Sequence, residues 1–149
     1  MTGETRELIS ALYAHQAEFL VVGGHAMAAH GWPRATGHFD IWVGATPENA
    51  PRVLAAIEAW LGTTAGITLE LLDHPGTMFQ FGAAPWRIDL LTTIDGVRFE
   101  DAWPRRMTVT VGDIDIPVIG RSDLEANKAA ARRPKDAADL AWLLGGEEP

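Results

Sequence analysis

Four consecutive apolar residues, Phe19-Leu20-Val21-Val22, stop at the pair Gly23-Gly24. A short apolar run bounded by glycine suits a buried strand. A glycine pair takes backbone angles that other residues avoid, and it lets a phosphate come close to the main chain. Ala26–His30 then has the composition of a short helix, and a helix start beside a glycine turn presents free N–H groups to an anion. The chain turns through Gly31, Pro33 and Gly37 and enters His38-Phe39-Asp40-Ile41-Trp42-Val43. Side chains two apart on a strand share a face. Phe39, Ile41 and Val43 therefore point into a core, and His38, Asp40 and Trp42 point the other way. An Asp at this place can hold a divalent cation that bridges phosphates, because magnesium uses few protein carboxylates and fills its other positions with phosphate and water. Arg34 and Thr36 precede this strand; Arg34 can pair with a phosphate or with an acid of the fold.

The flanking segments read as one α/β domain spanning residues 1–149, without repeats or linkers. Thr5–Glu18 places Leu8, Ile9, Leu12 and Tyr13 on one helical face. Thr46-Pro47-Glu48 carries the marks of a helix start, and the helix runs to Leu61, with Gly62 to stop it. Pro51 implies that this helix kinks or begins late. Ile67–Leu72 reads as a strand, Asp73–Gly76 as a turn and Thr77–Phe81 as a further strand. Trp86–Thr92 reads as a central strand with Arg87, Asp89 and Leu91 on one face. A carboxylate flanked by apolar residues there needs a cation or strong donors, so Asp89 is a metal ligand or the acid of a structural ion pair with an arginine. Met107–Val111 and Ile114–Ile119 form a hairpin around Gly112-Asp113. Ser122-Asp123-Leu124-Glu125 reads as a capping box opening a helix over 122–131, and Pro134 starts a last helix over 134–144. His25 and His30 lie five apart, which does not put two ligands on one helical face and excludes a helical zinc site.

Gly23-Gly24, thirteen intervening residues, the acid-bearing strand, a downstream strand Asp and the Arg133-Pro134-Lys135-Asp136 segment follow one another in that order. Together they resemble the nucleotidyltransferase signature. RATGHFDIWV (34–43) and NKAAARRPKDAADL (127–140) look like the small bacterial nucleotidyltransferases of the AbiEii-like, toxin–antitoxin-associated group, and the resemblance covers residues 17–144. It implies an α/β (α+β) polymerase-beta-like fold, with a mixed central sheet flanked by helices. It implies a nucleoside triphosphate substrate and Mg2+ (or Mn2+) held by Asp40 and Asp89, with His38 as an unusual third ligand. Gly23, Gly24, Arg34, Thr36 and Lys128 would bind the nucleotide, and Asp40, Asp89, Lys128 and Asp136 would form the catalytic set. Lys128 would hold a triphosphate oxygen as a point charge, and Asp136 would hold Lys128 or accept a proton; the alternative is a solvated face of mixed charge. His38 departs from the pattern, since this group has Asp-x-Asp on the strand. Imidazole is a poor magnesium ligand but a fair one for manganese, zinc or iron. The departure implies a changed metal preference, a single-metal site or a loss of catalysis.

The net charge of −8 argues against broad nonspecific nucleic-acid binding, although Arg132, Arg133 and Lys135 cluster near Lys128. The absence of cysteine excludes disulfides and thiolate metal sites. No apolar run is long enough to span a membrane, and the first residues lack the features of a signal peptide, so a cytoplasmic protein with no membrane partner is expected. The leading expectation is transfer of a nucleoside monophosphate to a hydroxyl of RNA, protein or a small molecule, in a component of a toxin–antitoxin pair. The alternative is a catalytically impaired binding module, an antitoxin or regulatory subunit. A metal hydrolase built on His38, Asp40 and Asp89 is a third reading.

Overall fold

Phe19–Val22 is buried at every position, which places strand β1 (Phe19–Val22) inside a sheet covered on both faces. The structure, a computed structural model, describes residues 1–33 and 36–145. Among these, helix α1 (Gly3–Ala14) precedes β1, and helix α2 (Gly23–Ala29) follows it directly. Next come β2 (His38–Val43), α3 (Ala50–Leu61), α4 (Leu69–Leu72), β3 (Met78–Phe81) and β4 (Arg87–Leu91). The chain continues through α5 (Phe99–Ala102), a 3-10 turn (Trp103–Arg105), the hairpin β5 (Met107–Val111) and β6 (Ile114–Val118), then α6 (Arg121–Ala131) and α7 (Pro134–Leu143). The six strands form one mixed sheet in the order β3-β4-β2-β1-β6-β5. β2 pairs in parallel with β4 and β1 in parallel with β6, and the remaining pairs are antiparallel.

The alternation on β2 divides the molecule. Phe39 and Ile41 belong to the face covered by α1 and α3, where Tyr13 meets Phe19 edge-on and Trp60 meets Phe81 edge-on. This side holds the core residues Leu8, Ile9, Leu12, Val53 and Ile57. His38, Asp40 and Trp42 share the opposite face, where Trp42 packs edge-on against Phe99 of α5 with ring centroids 5.0 Å apart.

Four local expectations are corrected. Ile67–Leu72 is not a strand. Thr68 accepts a hydrogen bond from the Leu71 N–H at 3.3 Å and opens α4, so this short apolar run closes as one helical turn with only Leu72 buried. Gly23-Gly24 is not a free turn but the first turn of α2, with Gly23 at φ +71°. The helix expected to open at Ser122 starts at Arg121 behind Gly120 and has no side-chain cap. Asp123 instead accepts two hydrogen bonds from Arg105, at 2.7 and 3.1 Å. The helix expected from Thr46 begins at Ala50, with Pro51 in its first turn, the place where proline costs no hydrogen bond.

Candidate functional site

Parallel pairing of β2 with β4 puts His38 opposite Arg87 and Asp40 opposite Asp89. Antiparallel pairing of β1 with β2 puts Val22, the residue before the glycines, opposite Asp40. Paired residues share a face, so two strands deliver His38, Asp40, Arg87 and Asp89 to one spot beside the end of β1. Potential ligand atoms of His38, Asp40 and Asp89 lie within 4.8 Å of one another. His38 Nδ1 is 2.7 Å from Asp40 Oδ1 and 3.4 Å from Asp89 Oδ2. Arg87 reaches along its own strand and donates from Nη2 to Asp89 Oδ2 at 3.0 Å. Its Nε lies 2.9 Å from Asp89 Oδ1 without hydrogen-bond alignment, so that buried oxygen accepts none.

Burial pushes the Asp40 carboxyl above its ordinary range; His38 draws it back, and Asp89 adds to the rise. Gly23 is what gives Asp40 room. A Cβ built on Gly23 would overlap the Asp40 carboxylate oxygen and come within 3.0 Å of its Cγ. Gly24 is close to Thr36 in the same way, at 3.3 Å from its Cβ.

These groups form the floor of an open cleft of about 700 Å³, with Gly23, Gly24 and Thr36 on one side and Asn127, Arg133 and Lys135 on another. Lys128 reaches this wall but is itself only 3% exposed. Its Nζ lies 3.2 Å from Asp136 Oδ1 and 3.0 Å from Asp139 Oδ2. Asp136 is fully buried and also accepts from the Arg133 N–H and from Arg133 Nε, at 3.1 and 2.7 Å. Burial works against its charge, but the donors of Arg133 and Lys128 outweigh it and hold its carboxyl below the ordinary range. Two acids and two cations thus brace α6 against α7.

Of the residues singled out from sequence, His38, Asp40, Asp89, Gly23, Gly24, Thr36 and Lys128 line one cleft. Asp136 lies beneath its wall, and Arg34 lies outside the described residues. His25 faces a smaller neighbouring cavity with its ring 4.4 Å from Phe39, and burial lowers its proton affinity. His30 Nε2 donates to the Ile119 carbonyl at 2.8 Å and has a structural part. The sequence reading did not single out Thr93 and Asp95, which also line the cleft; they follow β4 in an exposed turn, and no local pattern marks them. Arg87 carried a readable signal, its i,i+2 relation to Asp89 on one strand face.

No protein-family model and no curated protein sequence matches the chain. Solved structures do match. One is a Thermotoga maritima chain provisionally described as a nucleotidyltransferase, at 15% identity and a TM-score of 0.58, covering 94% of this chain and 89% of that one. At that identity the likeness speaks for the architecture alone: the chain has the nucleotidyltransferase fold, a six-stranded mixed sheet flanked by helices.

Proposed function

We propose that the protein is a metal-dependent nucleotidyltransferase that moves a nucleoside monophosphate from a nucleoside triphosphate to an acceptor hydroxyl. The observation that carries this reading is the meeting of His38, Asp40 and Asp89 beside Gly23-Gly24 in a cleft with Arg133 and Lys135 on its wall. The donor set suits one divalent ion, with an imidazole nitrogen, two carboxylates and a buried carboxylate oxygen that accepts no hydrogen bond. It suits manganese better than magnesium, because nitrogen replaces an oxygen donor. Such an ion, when bound, supplies charge neutralisation at the phosphates. The chain's own groups do the rest. Gly23, lacking a side chain, makes room for the Asp40 carboxylate, and Gly24 does the same for Thr36. Arg133 and Lys135 place fixed positive charge along the opposite wall. Lys128, held by Asp136 and Asp139, keeps that wall in position.

A second reading is favoured by one feature. Both carboxylates already have cationic or donor partners, Asp40 in His38 and Asp89 in Arg87. That arrangement suits a nucleotide-binding module with impaired catalysis, acting as an antitoxin or regulatory subunit. Among the described residues no helix is long and apolar enough to cross a membrane; a cytoplasmic toxin–antitoxin role stands on the sequence resemblance.

The test is transfer of α-labelled nucleoside triphosphates to total RNA, protein and small molecules, with magnesium and then manganese, for the native chain beside His38→Asp. Labelled product from the native chain, greater with manganese, is the expected result. Product from the variant alone identifies the impaired module, and silence from both overturns the transferase reading.

A further inference from the structure

We propose that Lys135 is the side chain that holds the triphosphate of the nucleotide in the cleft, a role that rests on the transferase reading. Among the described residues, four side chains of fixed positive charge line the cleft: Arg87, Lys128, Arg133 and Lys135. Three of them are already paired with acids of the chain. Arg87 donates to Asp89 at 3.0 Å. Lys128 is 3% exposed and sits between Asp136 and Asp139. Arg133 gives Nε and Nη2 to Asp136, at 2.7 and 3.2 Å. Asp89, Asp136 and Asp139 are all buried. A phosphate that drew one of these cations away would leave a buried carboxylate with less compensation, which is costly.

Lys135 is exposed and has no acidic partner among the described residues. Water satisfies an exposed ammonium, so this freedom by itself identifies no ligand. It does make Lys135 the cleft cation that a phosphate can engage without cost to the fold. An ammonium on a flexible stem is a point charge with three donors, suited to phosphate oxygens. The net charge of −8 makes the surface at large repel a polyphosphate, so local positive charge is what admits one.

The place of Lys135 in the chain also argues against a structural part. It is the second residue of α7, directly before Asp136 at the third. The first turn of a helix favours negative charge, so an ammonium there works against the helix dipole. The neighbouring acid does not offset it, because Asp136 is engaged by Lys128 and Arg133. Lys135 thus opposes its own helix while lining the same cleft as His38, Asp40 and Asp89.

The experiment measures ATP binding by calorimetry, with manganese in excess over nucleotide, for the native chain, Lys135→Gln, Lys135→Arg and Arg132→Gln. Arg132 is exposed and close in sequence but does not line the cleft, so its loss removes the same charge from the same region. Lys135→Gln is expected to weaken ATP roughly tenfold. Lys135→Arg and Arg132→Gln should stay within about twofold of the native chain. Urea unfolding without nucleotide should find Lys135→Gln as stable as the native chain or slightly more so. Unchanged ATP affinity in Lys135→Gln, an equal loss in Arg132→Gln, or lowered stability of Lys135→Gln would each overturn the proposal. A native chain that binds no ATP would remove the transferase reading and this proposal together. ATP held through Lys135 without label transfer would leave this site standing and remove only the transfer.

Discussion

Replacing Arg87 by methionine keeps most of the aliphatic stem and removes the guanidinium from Asp89. The two should respond in opposite directions. Asp89 has a side chain only 5% exposed, while that of Arg87 is 31% exposed. Removing one partner of a fully buried pair costs about 3–5 kcal/mol. With the arginine partly in water, that figure is discounted toward the range of exposed pairs, to about 1–3 kcal/mol. Unfolding by urea without metal should therefore show the variant less stable by that amount. Divalent-ion binding should improve. A guanidinium roughly 5 Å from a doubly charged ion repels it by about 2 kcal/mol in bulk water and about 7 kcal/mol at an effective dielectric constant near 20. Even the lower figure corresponds to more than a tenfold change in affinity. Free manganese measured by electron paramagnetic resonance should accordingly report a dissociation constant at least about tenfold lower in Arg87→Met. Unchanged or weaker manganese binding in a folded variant would refute the idea that Arg87 competes with the ion for Asp89.

Gly23→Ala should weaken manganese binding about tenfold or more, since its methyl group occupies the space of the Asp40 carboxylate, and should lose about 1–2 kcal/mol from the positive φ, read by calorimetry and urea unfolding. Asp136 yields a pH dependence. Its carboxyl is depressed in the folded state, so its contribution is present above the ordinary value of 3.8 and is lost as pH falls through the lower folded value. The stability gap between the native chain and Asp136→Asn should stay level from neutral pH to about pH 4 and narrow below it; a gap that closes near pH 6 would contradict this.

Strand β1 and the Asp40 strand beside it were legible to the residue or nearly so. An apolar run ending in glycine bounds β1, and strict alternation from His38 to Val43 bounds β2 and assigns its faces. The sharing of a face by Arg87 and Asp89 followed from the same period of two. Ile67–Leu72 misled, because a short apolar run has no period of its own, and the Thr68 cap decided it in favour of a helix. Helix α6 opens one residue early, at Arg121 behind Gly120; Glu125, the acid of the expected box, lies 3.7 Å from Arg121, and Asp123 is held by Arg105 from far upstream. Pairings between distant segments of this kind leave no trace in a local pattern.

The parallel ladder between β2 and β4 also bears on how the molecule forms. Asp40 and Asp89 belong to adjacent strands joined by a long crossover through α3, α4 and β3. Closing such a connection is entropically slow, and contacts between distant segments set the pace of folding. The acids become neighbours only when that ladder closes in register, and a slip of one residue would turn one of them to the other face. If the proposed ion site is right, ion affinity would be absent from the early, locally structured chain and would arrive with the closing of the ladder. Manganese added during refolding would act on the native side of that step, slowing escape from the folded state rather than hastening entry to it.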